Sequence, residues 1–167
     1  MEKQSCLFLD RDGVINKHRP DDYVKTWAEF EFLPGALKTL AQLSNYFRYI
    51  LIVTNQRGVS KGLFSEEMLK SIHERMLAEI SKNGGRIDGI YYCTALANDD
   101  FYRKPNPGMA FQAKCDYPEI EFTSSVMIGD SESDIDFGKG LGMKTIRVGV
   151  NGLIGAIEKL SQMSKIA

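Results

Sequence analysis

Short apolar runs recur along the chain, and between them apolar residues repeat at helical spacing. Cys6-Leu7-Phe8-Leu9, running into Asp10, reads as a buried strand. After Pro34-Gly35, the residues Leu37, Leu40, Ala41 and Leu43 share one helical face. Tyr49-Ile50-Leu51-Ile52-Val53 is a second strand, rich in β-branched residues and closed by Thr54-Asn55-Gln56. Ser65 stands where a helix N-cap would. The apolar stripe after it runs through Met68, Leu69, Ile72, Met76, Leu77 and Ile80, and Gly84-Gly85 ends it. Further strands are predicted over Ile87–Cys93, Ser125–Ile128 and Lys144–Val148. Helices are predicted over Met109–Cys115, Asp134–Leu141 and much of Gly152–Met163. This alternation predicts an α/β fold, a Rossmann-like doubly wound parallel sheet of about five strands with helices on both faces. Its crossovers should be right-handed.

Composition narrows the picture. A chain of 167 residues suits one domain over 1–167, with no room for a separate cap. A net charge of −1 gives no electrostatic case for nucleic acid or a membrane surface as partner. No apolar stretch approaches transmembrane length, and the first residues lack a signal-peptide pattern, so a cytoplasmic protein is expected. The three cysteines, Cys6, Cys93 and Cys115, lie far apart and argue against a disulfide framework. Cys93 and Cys115 read as small buried residues, His73 as a surface residue of the long helix, and the Met68/Ile72/Met76 stripe as core. No extra apolar helix face is left over, which points to a monomer.

The chemistry sits at the predicted strand ends. Four groups fall there: Asp10 with Asp12, Thr54 with Asn55, Lys104, and Asp130 with Asp134. A parallel sheet brings all four to one edge, where such sheets bind ligands. Asp10 and Asp130 can hold a hard divalent cation such as Mg²⁺. Lys104 and Thr54 can hold an anion beside it, and a cation, an ammonium group and a hydroxyl around one point make a phosphate site. One carboxylate can then attack phosphorus, while the other serves as acid and later as base. The longest irregular insert, Lys17 to Phe32, is expected to fold over this edge and select substrate.

Four segments carry a resemblance. Phe8-Leu9-Asp10-Arg11-Asp12-Gly13-Val14 resembles the DxDG motif of the haloacid dehalogenase-like (HAD) phosphatases. Val53-Thr54-Asn55-Gln56, Arg103-Lys104-Pro105 and Gly129-Asp130-Ser131-Glu132-Ser133-Asp134 resemble the three later motifs, in family order. Finer features resemble the capless subgroup of D,D-heptose 1,7-bisphosphate and histidinol-phosphate phosphatases. These include Asp10 to Asn16, Tyr23-Val24, Phe30 to Gly35, Thr54 to Val59, Asp88 to Cys93 and Arg103 to Met109. The resemblance implies a Mg²⁺-dependent phosphomonoesterase acting on a small phosphorylated metabolite. Asp10 would be the nucleophile and Asp12 the general acid/base. Asp10, the Asp12 backbone carbonyl and Asp130 would hold the metal, with Asp134 behind them. Thr54 and Lys104 would hold the transferring phosphoryl group. Asn55 and Gln56 would line the site. Arg103 would contact the rest of the substrate, with Arg11, His18, Arg19 and Tyr23 as further contacts.

Two departures stand out. Where relatives carry a zinc loop, this chain keeps Cys93 but has Ala95 for the histidine and Phe101-Tyr102 for the later cysteines. One thiol cannot build a four-ligand site, so no structural zinc is expected. Ser131 stands where heptose-type members often carry lysine, which removes one cation. A rival reading from another class is a signalling receiver domain. It fits less well, because a receiver's acceptor Asp ends a middle strand, whereas the third strand here ends on Cys93.

Overall fold

Alternation within each strand sorts the apolar residues onto two faces. The structure, a computed structural model, describes residues 4–166. Five strands, β1 (Gln4–Leu9), β2 (Phe47–Asn55), β3 (Gly89–Cys93), β4 (Val126–Gly129) and β5 (Lys144–Arg147), form one sheet. Every pairing is parallel and the order is β3-β2-β1-β4-β5. Between and after them run α1 (Ala36–Leu43), α2 (Glu66–Lys82), α3 (Gly108–Asp116), α4 (Glu132–Gly140) and α5 (Ile157–Ile166). Leu7, Leu9, Ile50, Ile52 and Ile128 pack with α1, α2 and α5 on one face. Cys6, Phe8, Leu51, Val53 and Met127 pack with α3 and α4 on the other. Side chains that alternate across a pleated strand feed both cores at once, so these strands read as unbroken apolar runs.

The order of the strands positions the site. From β1 the chain steps outward to β2 and β3, then returns past β1 to β4 and β5. The reversal lies between β1 and β4, and the crevice beyond that pair is where an open α/β sheet takes a ligand. Asp10 follows β1 and Asp130 follows β4, so both carboxylates stand at the reversal.

Local chemistry sets the helix starts. Ser65 caps α2, its Oγ accepting from the Met68 amide at 3.0 Å. Ser131 caps α4 in a reciprocal box with Asp134, which moves that helix's start ahead of the predicted Asp134. The third strand starts at Gly89 rather than Ile87, because Asp88 turns its carboxylate to the Ile50 amide at 2.8 Å. The last predicted helix begins as a 3₁₀ turn over Gly152–Ala156.

Four burial expectations are corrected. His73 is buried, because it lies four residues after Leu69 and three before Met76, within the stripe that faces the sheet. Met68 is 39% exposed, since it sits in the first turn of α2, beyond the packed stretch. Cys115 is exposed, on the side of α3 away from Met109, Ala110 and Ala113. Arg11, expected to meet substrate, is fully buried behind Asp12. Among the described residues, no helix is long and apolar enough to cross a membrane.

Candidate active site

Asp10 is fixed by the sheet itself: its amide donates to the Ile128 carbonyl at 3.0 Å, tying the end of β1 to β4. The chain then turns sharply through Gly13, whose φ is +87°. A Cβ at Gly13 would run into the Asp130 carboxylate, so glycine lets the first acidic loop approach the second.

Lys104 joins the two halves. Its Nζ donates to Asp10 Oδ1 at 2.9 Å and to Asp134 Oδ1 at 2.6 Å. Asn55 holds the Lys104 backbone from both sides: its Oδ1 accepts from the Lys104 amide at 3.1 Å, and its Nδ2 donates to the carbonyl at 3.3 Å. The other oxygen of Asp134 accepts from the amides of Asp130 and Ser131 and from the Ser131 hydroxyl. Asp134 therefore clamps lysine and loop together, while Asp130 faces the cleft.

Asp12 sits in a separate net. Its Oδ1 accepts from Arg11 Nη2 and Asn16 Nδ2, each at 2.9 Å. Its Oδ2 accepts from Gln56 Nε2 at 2.9 Å, and the same Gln56 amide donates to Thr54 Oγ1 at 2.9 Å. Asn16 and Ser131 are partners that had no assigned role, although both lie inside the quoted motifs.

Environment separates the two carboxylates. Burial raises Asp10 well above the ordinary range; Lys104 pulls it back, while Asp134, Asp12 and Asp130 push it up. Burial and Asp134 also raise Asp130. For Asp12, burial is outweighed by the Arg11 charge and by hydrogen bonds from Arg11, Asn16 and Gln56, and its pKa falls. Asp134 is likewise lowered, because Lys104 outweighs its burial. Burial would lower Lys104, but the two carboxylates it touches hold it above an ordinary lysine.

The cleft over these groups measures about 290 Å³. Asp10, Asp12, Asn55, Gln56, Lys104, Asp130 and Asp134 line its floor. His18, Arg19, Asp22, Tyr23 and Val24 of the insert line its wall, so the insert does fold over the strand ends. Arg19 also pairs with Asp22 and Glu29, and the Tyr23 hydroxyl accepts from Lys61 Nζ at 3.0 Å. Arg103 is half-buried beside Arg57 and is not among the residues that line the cleft. Thr54 is buried beneath Gln56. The rival receiver reading finds no acceptor carboxylate at the end of β3, which closes on Cys93.

The donor set suits a divalent cation. Four carboxylates, Asp10, Asp12, Asp130 and Asp134, face two cations, Arg11 and Lys104. Asp10, Asp130 and Asp134 each offer an oxygen within 4.8 Å of the others. Oxygen-only ligands are what Mg²⁺ takes.

Known proteins are similar to this chain in sequence and in fold. The HAD-hydrolase-like family model matches residues 101–152. The D-glycero-α-D-manno-heptose-1,7-bisphosphate 7-phosphatase of Mycobacterium tuberculosis is 41% identical over 134 residues, which cover 80% of this chain and 70% of the relative. The D-glycero-β-D-manno-heptose-1,7-bisphosphate 7-phosphatase of Rhodopseudomonas palustris is 36% identical over 153 residues, covering 87% and 83%. Among solved structures, the D,D-heptose 1,7-bisphosphate phosphatase from B. bronchiseptica, complexed with magnesium and phosphate, superposes with a TM-score of 0.80 at 27% identity. That match covers 95% of this chain and 99% of the other. With the motif groups gathered at one sheet edge and relatives at this identity and coverage, the chain belongs to the haloacid dehalogenase-like phosphatases, hydrolases of phosphoric monoesters.

Proposed function

We propose that this enzyme removes the 7-phosphate of a D-glycero-D-manno-heptose 1,7-bisphosphate through a phospho-aspartate on Asp10. The observation that carries the mechanism is the Lys104 ammonium bonded to both Asp10 and Asp134 across the strand reversal. The substrate is supported by the relatives, which are named for both anomers.

Asp10, the Asp12 backbone carbonyl and Asp130 would hold Mg²⁺, which when bound would supply charge to offset the phosphoryl oxygens and favour the ionised form of Asp10 against the burial that raises it. An Asp10 oxygen forms a bond to phosphorus as the bond to the sugar oxygen breaks. Asp12 delivers its proton to that leaving oxygen. An arriving phosphate dianion raises the pKa of the adjacent Asp12, which arms it as the acid. Asp12 then takes a proton from water, water attacks phosphorus, and the bond to Asp10 breaks to release phosphate. Lys104 holds the phosphoryl oxygens throughout, and Thr54 would join it as the arriving phosphate displaces the Gln56 amide that covers its hydroxyl. His18, Arg19 and Tyr23 on the insert face the sugar.

The test is phosphate release with Mg²⁺ from both heptose bisphosphate anomers, histidinol phosphate and a panel of other phosphomonoesters. Preferred turnover of one heptose anomer, lost in Asp10→Asn, is expected. A preference for histidinol phosphate would overturn the substrate; full activity of Asp10→Asn would overturn the mechanism.

A further inference from the structure

Arg11 and His73 make a buried contact that the reaction above leaves unused. Arg11 is fully buried and His73 is 5% exposed. Arg11 Nη1 lies 3.0 Å from His73 Nε2, between residues 62 apart in sequence. A guanidinium carries only donors, so Nε2 accepts and the imidazole proton sits on Nδ1. Burial and the Arg11 charge push the His73 pKa down to about 3, which keeps the ring a neutral acceptor. The Phe30 ring lies 5.9 Å from the guanidinium carbon.

One planar fork therefore reads two acceptors. Its Nη1 is held by α2 through His73, and its Nη2 reaches Asp12 Oδ1. Because His73 is neutral, it orients the guanidinium without competing for its charge, which stays with Asp12. Asn16 donates to the same Oδ1, so that oxygen is anchored twice. Oδ2 accepts from Gln56, beside Thr54, on the side where the phosphoryl group would sit.

We propose that His73 is a positioning residue: acting through Arg11, it fixes Oδ1 of Asp12 as the anchored oxygen and leaves Oδ2 to carry the proton to the leaving group. This rests on the phosphatase reading above. As the Asp10–phosphorus bond forms, the bond to the leaving oxygen breaks and its electron pair goes to that oxygen. The proton from Asp12 Oδ2 neutralises it. An alkoxide needs that proton; a nitrophenolate does not. Misplacing Oδ2 must therefore penalise alkyl esters selectively.

The experiment compares kcat/KM, which reports the first phosphoryl transfer, for p-nitrophenyl phosphate and for the best alkyl phosphate of the panel, with Mg²⁺ present. His73→Leu should lose about tenfold or more on the alkyl ester and less than about threefold on the aryl ester. His73→Gln, whose Oε1 can accept from Arg11, should return the alkyl rate to within about threefold of the parent enzyme. Equal losses on both esters, no loss, or a glutamine variant no better than leucine would overturn the role of His73. The parent enzyme gives an independent readout: ¹⁵N shifts of His73 should show Nδ1 protonated and Nε2 bare, and a proton on Nε2 would overturn the proposal even if the leucine variant does not fold. A parent enzyme inactive on every ester fails the phosphatase reading itself and takes this proposal with it.

Discussion

At the strand reversal, Lys104 is 3% exposed and bonds two carboxylates at once; across the cleft, Arg19, Asp22 and Lys25 hold one another at the surface. The first set is buried, so each broken bond leaves a charge in a low dielectric. The second set is screened by water and contributes little to stability. The contrast divides the labour. In the proposed reading, the groups that meet phosphorus are locked by the sheet, while Arg19 and Tyr23, offered to the rest of the substrate, stand on the exposed part of an insert that Val24 and Phe30 anchor in the core.

The sharpest way to break the contrast is at its buried end. Asp10→Asn should lower kcat by about three orders of magnitude or more, because no nucleophile remains. The same change should raise the melting temperature of the metal-free protein. It removes a charge that burial disfavours and that three neighbouring carboxylates repel, and the amide oxygen can still accept from Lys104. A stabilised, inactive variant would show that the site holds strain for function; an unstable one would contradict that electrostatic reading.

Lys104→Met comes next. It should cost about 3 kcal/mol in barrier, on the scale of losing one preorganised charge, measured as a 10²-fold fall in kcat. It should also lower the denaturation midpoint, since Asp134 loses a buried partner. A fall in kcat of less than threefold would place Lys104 outside the reaction.

Metal and pH sharpen the comparison further. Asp10 and Asp130 have raised pKa values, so from the ordinary carboxylate range up through those values the folded state keeps protons that the unfolded chain has released. Stability of the metal-free protein should therefore fall as pH rises through that window. Asp12 and Asp134 have lowered values; their contribution is present above the ordinary range and is lost as pH falls below it. A bound cation stabilises the ionised forms. Mg²⁺ at 100 times its Kd should add about 2.7 kcal/mol. At one fixed Mg²⁺ concentration, calorimetry should find the gain larger at pH 8 than at pH 5, because protons on Asp10 and Asp130 weaken binding at the lower pH, and the opposite order would contradict the assignment.

The smallest effect belongs to the insert. Tyr23→Ala should raise KM about tenfold and leave kcat within about twofold, the signature of binding felt equally by ground and transition state. Asp22→Ala should shift the melting temperature by less than about 2 °C, as expected for an exposed ion pair. A large loss of kcat in either variant would merge the two regions into one machine.

How far these features could be foreseen depends on the distance over which each is encoded. Asp10, Thr54 and Asp130 were legible because each follows a short apolar run, and the position of a strand end is local information. Ser65 and the capping pair of Ser131 with Asp134 are local too, although α4 starts earlier than expected because Asp134 serves as the reciprocal cap and not as the first helical residue. His73 carried a readable signal, its spacing from Leu69 and Met76, but a histidine's polarity masked it. Arg103 illustrates the reverse: it stands next to Lys104 in the chain, yet its side chain lies beside Arg57 and outside the cleft lining.

Read alone, the amino-acid order determined the alternating α/β plan, the ends of the strands and the acids and amides that stand there, because hydrophobic period and turn chemistry act over a few residues. Only the tertiary structure decided that Arg11 turns inward to His73, that Asn55 grips the Lys104 backbone, and that Asp134 shares its two oxygens between a lysine and a loop. The bonds of Arg11, Asn55 and Lys104 join residues far apart in the chain that the parallel sheet gathers at one edge, and their partners are chosen by burial, where an unpaired charge or donor costs most.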